Sequence, residues 1–152
     1  MTPTEPSDDV RAIKDILARQ LRNISWSADK ESDWDRFAED VLPGAPLYPA
    51  ARPALSQTVG DFVDRMKTLS QSSLRSFEQT MLGAEVHVFG SVAVAMGVCR
   101  NVENGVDEVR GVEAYLLVKD GGVWRIAAQA WDTEHDARKI PDYLLASTMS
   151  SR

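Results

Sequence analysis

Residues 107–134, DEVRGVEAYLLVKDGGVWRIAAQAWDTE, constrain the fold more than any other stretch. Two runs rich in β-branched and aromatic residues flank Asp120-Gly121-Gly122, the composition of a tight hairpin turn. An isolated hairpin is marginal in water, so further strands must pair beside this one and helices must cover it.

The upstream chain supplies both. Residues 1–6 carry two prolines without periodicity and read as a tail. Ser7 offers a helix cap, and Asp8 and Asp9 sit where a helix N-terminus favours negative charge. Val10, Ile13, Leu17, Leu21 and Ile24, widened by Ile16, form one apolar stripe at helical spacing. A shorter helix starts near Asp33, buries Trp34, Phe37, Ala38 and Val41, and stops at Pro43-Gly44. Pro43, Pro46, Pro49 and Pro53 confine the next segment to an extended or edge role, with Leu47 and Tyr48 as inward anchors. Val59, Phe62, Val63, Met66 and Leu69 mark a third helix, capped by Ser56 or Thr58.

From Ser73 the pattern turns to strand. The run from Ser73 to Phe89 is broken at Leu82-Gly83-Ala84, where glycine signals a bulge or bend. Gly90-Ser91 is a turn. Val92, Val94, Met96 and Val98, with alanines between, read as a strand covered on both faces. Glu103-Asn104-Gly105 turns the chain back into the opening hairpin. The predicted organisation is a tail over 1–6, one domain over 7–136 and an extension over 137–152, with a short helix around Asp142 to Ala146. Helices followed by strands indicate an α+β fold, a curved antiparallel sheet wrapped around the N-terminal helices as a cone with an internal pocket.

Charge and cysteine content exclude several functions. With 17 Lys and Arg against 23 Asp and Glu, net −6, the chain is a poor match for nucleic acid or an anionic membrane. No apolar run spans a bilayer, and the start MTPTEPSDDV lacks the features of a secretory signal. Cys99, the single cysteine, excludes an internal disulfide and points to a cytoplasmic protein and a core thiol. There is no phosphate-binding glycine loop or serine-nucleophile motif, and no cofactor is expected. Residues 132–136, DTEHD, make a poor metal cage, because consecutive strand residues point in opposite directions; no metal is expected.

Strand parity decides which side chains meet. Trp124, Ile126, Ala128, Ala130 and Asp132 share one face of the last strand; Arg125, Ala127, Gln129 and Trp131 share the other. The first set suits a cavity with a carboxylate at its rim, the second a subunit interface. A two- or four-residue hairpin loop puts Glu113, Tyr115 and Leu117 on the Trp124 face; a three-residue loop reverses that.

Asp33-Trp34-Asp35, the run Val88 to Val94 and Gly121-Gly122-Val123-Trp124-Arg125-Ile126, in this order and spacing, resemble the nuclear transport factor 2-like superfamily, in particular its SnoaL-like polyketide cyclase and ketosteroid isomerase branch. The resemblance covers roughly residues 8–134. It implies the cystatin-like α+β roll, a pocket between sheet and helices, and a homodimer through the outer sheet face, here by Trp131 and Gln129. It also favours the even-numbered hairpin loop. The histidines that many relatives carry on the last strand correspond to Ala128 and Ala130, and the aspartate of the steroid isomerases has no counterpart in Ala45-Pro46-Leu47-Tyr48-Pro49. A copy of the isomerase mechanism is not expected.

The candidate acid–base groups are Tyr115, Asp132, Glu113 and His87, with Trp34, Tyr48, Leu117, Trp124, Ile126, Ala128 and Ala130 lining the pocket. A carboxylate in such surroundings should have a raised pKa. Three functions remain open: a lyase, isomerase or cyclase acting on a small apolar carbonyl compound, with Tyr115 polarising the oxygen; a non-catalytic binder of a hydrophobic ligand; and a dimerisation module whose cavity is filled by Trp34, Phe37, Trp124 and Met96.

Overall fold

The apolar stripe of the first helix packs onto a sheet whose inner face alternates in step with it. The computed structural model describes residues 6–150. Helix α1 (Pro6–Ile24) buries Ile13, Ile16, Leu17, Leu21 and Ile24. It runs back through Ser7, so Ser7 lies within the helix and is not its cap, and residues 1–5 of the expected tail lie outside the described residues. Proline suits a first helical turn, where its missing N–H costs no hydrogen bond.

Helix α2 (Trp34–Glu39) is capped by the Asp33 carboxylate, which accepts from the Arg36 N–H. Phe37 and Val41 are buried as expected, whereas Ala38 is exposed, because so short a helix turns only one narrow face inward. The two-residue strand β1 (Leu47–Tyr48) buries Leu47 and exposes Tyr48, since adjacent strand residues point opposite ways. Helix α3 (Val59–Ser70) takes Thr58 as its cap, in a capping box completed by Asp61.

Strands β2 (Phe77–Phe89), β3 (Val92–Glu103), β4 (Asp107–Asp120) and β5 (Val123–Thr133) form an antiparallel meander, and β1 joins β5 in parallel, giving the order β1-β5-β4-β3-β2. The β2 register shifts between Met81 and Gly83, at the break expected there. Asn104 and Gly105 adopt positive φ in the β3–β4 turn. Gly121 and Gly122 do so in the β4–β5 turn, where Asp120 pairs with Val123 across a two-residue loop.

β3 is covered on both faces only around Val98, and its first half is open on one side. Ala93, Ala95 and Cys99 are buried beneath α1, but Val92, Val94 and Met96 are exposed on the outer face. Farther along that face the C-terminal segment covers the sheet: helix α4 (Asp142–Leu145) brings Leu144, with Ile140, onto Val98 and Val112.

β5 departs most from simple alternation. Leu117 pairs with Ile126 but Leu116 pairs with Ala128, so Ala127 is an extra, bulged residue. The bulge reverses parity from that point onward.

Candidate active site

The even-numbered turn places Glu113, Tyr115 and Leu117 on the inner face with Trp124 and Ile126. Beyond the bulge, Gln129 pairs with Tyr115 and Trp131 with Glu113, so Gln129 and Trp131 also point inward. Ala128, Ala130 and Asp132 consequently lie on the outer face, where the expectation had put Gln129 and Trp131.

These strand positions meet an amide from α1. Gln20, fully buried, sits on the apolar stripe between Leu17 and Ile24. The Tyr115 hydroxyl donates to Gln20 Oε1 at 2.8 Å. Gln20 Nε2 donates to Gln129 Oε1 at 2.7 Å, and Gln129 Nε2 donates to Glu113 Oε1 at 2.7 Å. The Cys99 thiol stands 3.8 Å from Glu113 Oε2 and donates to it. Each amide both donates and accepts, which fixes the orientation of the chain and leaves its polar atoms paired.

Glu113 is the ionisable end of this network. It makes no ion pair among the described residues, and burial pushes its pKa up to about 7, against the smaller lowering effect of the Gln129 and Cys99 hydrogen bonds. Burial, followed by the Glu113 charge, raises the Cys99 thiol well above its usual range. Burial likewise raises Tyr115, reinforced by Glu113 and Cys99. Both therefore remain protonated donors near neutral pH, and Glu113 is the member of the network whose pKa is raised toward neutrality.

Glu113 and Gln129 form the floor of a cavity of about 440 Å³. Its walls come from α1, α2, α3 and the inner face of the strands, including Phe37, Phe62, Met66, Leu69, Phe77 and Trp131. Phe62 stacks on Phe37 and meets Trp131 edge-on, which holds the aromatic wall in one arrangement. Gln79, Asn101, Glu103, Thr133 and Arg65 add polar groups to the lining.

Several expected site residues lie elsewhere. Tyr115 is buried behind Gln20 and is not part of the lining. His87 stands on the outer face with its side chain 73% exposed, 3.7 Å from Glu85. Asp132 pairs with Arg138 at 3.0 Å on that same face. Leu117 and Ile126 are packed into the solid core. Trp124 is also buried and donates to Asp9, as does Lys119, each at 3.0 Å, which pins the start of α1 to the hairpin. Burial pushes the Asp9 carboxyl up, but the hydrogen bonds from Trp124 and Lys119 outweigh it and leave the pKa lowered. Trp34 sits edge-on against Phe37 and Phe62 outside the cavity, and Tyr48, Ala128 and Ala130 do not reach it. Among the described residues no cluster of His, Cys, Asp and Glu is arranged to hold a metal, and no helix is long and apolar enough to cross a membrane.

Gln20 and the α3 wall were not among the predicted site residues. A polar amide in register with Ile13, Leu17 and Ile24 was the available signal for Gln20. The α3 stripe could equally have been solid core.

No family model matches the chain, and no curated protein does. Solved structures do. A protein of unknown function with a cystatin-like fold from Nostoc punctiforme superposes with TM-score 0.68 at 10% identity, covering 89% of this chain and 97% of that one. The hexachlorocyclohexane dehydrochlorinase LinA-type3 of Novosphingobium barchaimii gives 0.67 at 12% identity, covering 88% and 95%. A nuclear transport factor 2-like protein of unknown function from Pseudomonas putida gives 0.66 at 11% identity, covering 89% and 94%. These likenesses show the fold, which is nuclear transport factor 2-like, a cystatin-like α+β arrangement.

Proposed function

We propose that this nuclear transport factor 2-like chain is a proton-transfer enzyme of the lyase or isomerase kind, acting on a small, largely apolar carbonyl compound with Glu113 as its acid–base group. The observation that carries the reading is a buried carboxyl without a cationic partner, on the floor of a mostly apolar cavity. A pKa near 7 suits a group that must both take and return a proton at neutral pH. Glu113 would remove a proton from the carbon beside the carbonyl, and the electron pair left behind would form an enolate. Returning the proton at another carbon gives isomerisation; expelling a neighbouring leaving group gives elimination. Gln129 holds the carboxylate in place, and the Asn101 amide and Thr133 hydroxyl are lining groups suited to the substrate oxygen. Two fold neighbours are described as eliminating enzymes, the dehydrochlorinase and a scytalone dehydratase candidate from Novosphingobium aromaticivorans, which supports this class by analogy alone.

The test needs no known product. Alicyclic and aromatic ketones are incubated with the protein in deuterated water, and exchange beside the carbonyl is followed by NMR. Exchange should occur with the natural chain and fall by a factor of about 100 or more in Glu113→Gln. Exchange unaffected by that substitution would overturn the assignment.

A second reading, a binder without turnover, is favoured by the absence of Tyr115 from the lining, which leaves the cavity without a phenol to polarise a substrate oxygen. Saturable ketone binding without exchange would select it. A cavity filled by the protein's own side chains is disfavoured by the open volume and by Met96 facing outward. We also propose a homodimer through the outer sheet face, with contacts from Val94, Met96 and Leu116, because Gln129 and Trp131 are turned inward.

A further inference from the structure

Arg65 is the single cation among the residues lining the cavity, and its guanidinium makes no hydrogen bond or ion pair with another described residue. It projects from α3 one turn from Phe62 and next to Met66, both of which belong to the apolar wall. It is solvent-exposed while those neighbours are buried, which puts its charge at the mouth and leaves the floor to Glu113.

Several other basic side chains are committed, Arg19 to Asp40, Arg36 to Glu39, Arg100 to Glu108 and Arg110 to Glu134, and those that are not, such as Arg22, Lys67 and Arg75, do not line the cavity. Glu103 also lines the cavity, and it makes no ion pair with Arg65. Besides Glu113, the lining therefore holds one uncommitted positive and one uncommitted negative group.

We propose that the ligand of this cavity is an apolar monocarboxylate, its carboxylate held at the mouth by Arg65 and its apolar body directed toward Glu113. This rests on the cavity being a small-molecule site. A guanidinium presents a planar fork of donors that matches a carboxylate, and such charge-assisted bonds strengthen where one side is apolar and partly dry. Glu103, in the same lining, opposes an anion there, so it sets an upper limit on affinity and selects against dianions. The reacting carbon then lies at the opposite end of the molecule from the carboxylate, within the apolar part of the cavity.

The measurement is calorimetric titration of cinnamate and of its neutral isostere cinnamamide into the natural chain, Arg65→Gln and Glu103→Gln, with thermal melting to confirm that each variant is folded. Cinnamate should bind about tenfold or more tightly than the amide, consistent with a charge-assisted hydrogen bond. The preference should vanish in Arg65→Gln and widen in Glu103→Gln. Equal affinities in the natural chain, or a preference that survives Arg65→Gln, would overturn the role of Arg65 while leaving the cavity reading intact. Failure of both compounds to bind would overturn the cavity reading and this inference together.

Discussion

The ionisation of Glu113 ties the chemistry of the site to the stability of the fold. Its folded pKa of about 7 lies above that of an unfolded glutamate, so between those two values the native state holds the proton more strongly than the unfolded chain. Stability from this residue is present in full below the unfolded pKa and is lost as pH rises through about 7. Across the window the loss is on the order of 3 kcal/mol. Carboxyls with lowered pKa, such as Asp9 and Glu134, act in the opposite direction and mask it in the natural chain alone. Glu113→Gln has no group to ionise at this position. Urea unfolding at pH 5 and pH 8 should therefore show the variant gaining on the natural chain at the higher pH. An unchanged difference between the two pH values would show that Glu113 is already solvated or paired.

At the scale of elements, legibility followed local chemistry. The α3 cap at Thr58, the three positive-φ hairpin turns at Gly90, Asn104-Gly105 and Gly121-Gly122, and the β2 bulge all have a residue that announces them. Gly83 marks its bulge because it must. A Cβ there would collide with the Ser147 carbonyl oxygen, where the C-terminal segment crosses the sheet. The β5 bulge has no such marker. Ala127 lies in the run Ile126-Ala127-Ala128, where one alanine more or fewer leaves the composition unchanged, yet it reverses every later side chain. Glu113 and Tyr115 were legible because β4 carries no extra residue, so their parity with Leu117 holds even though they lie beyond the bulge; Asp132, Gln129 and Trp131 lie beyond it on the bulged strand itself. The Gly83 contact gives a prediction of its own. Gly83→Ala should push the segment around Ser147 off the sheet and destabilise the fold by about 1–3 kcal/mol, the usual range for overpacking. Limited proteolysis should then cleave within residues 139–150 before the rest of the chain. Unaltered melting and cleavage would mean that the segment is not held there.

The whole molecule has two unequal faces. The inner face is closed by α1 to α3 around the cavity, while the outer face is only partly covered by Ile140 and Leu144. What remains open there is apolar: Phe89, Val92, Val94 and Leu116 line a shallow depression together, and Met96 is exposed nearby. A contiguous apolar patch of this kind is the usual mark of an association site, and on a β-sheet a second copy supplies the complementary surface by symmetry. The net charge of −6 per chain opposes that association at long range. The proposed dimer should therefore tighten as salt screens the repulsion, unlike one held by ion pairs. Light scattering at micromolar concentration should give the mass of two chains and a dissociation constant that falls between low and physiological salt. Val94→Asp combined with Leu116→Asp should yield the mass of one chain while leaving the melting temperature of the monomer almost unchanged, because both side chains are already half exposed. A single-chain mass for the natural protein at every salt concentration would end the dimer proposal without touching Glu113, whose cavity is lined from within one chain.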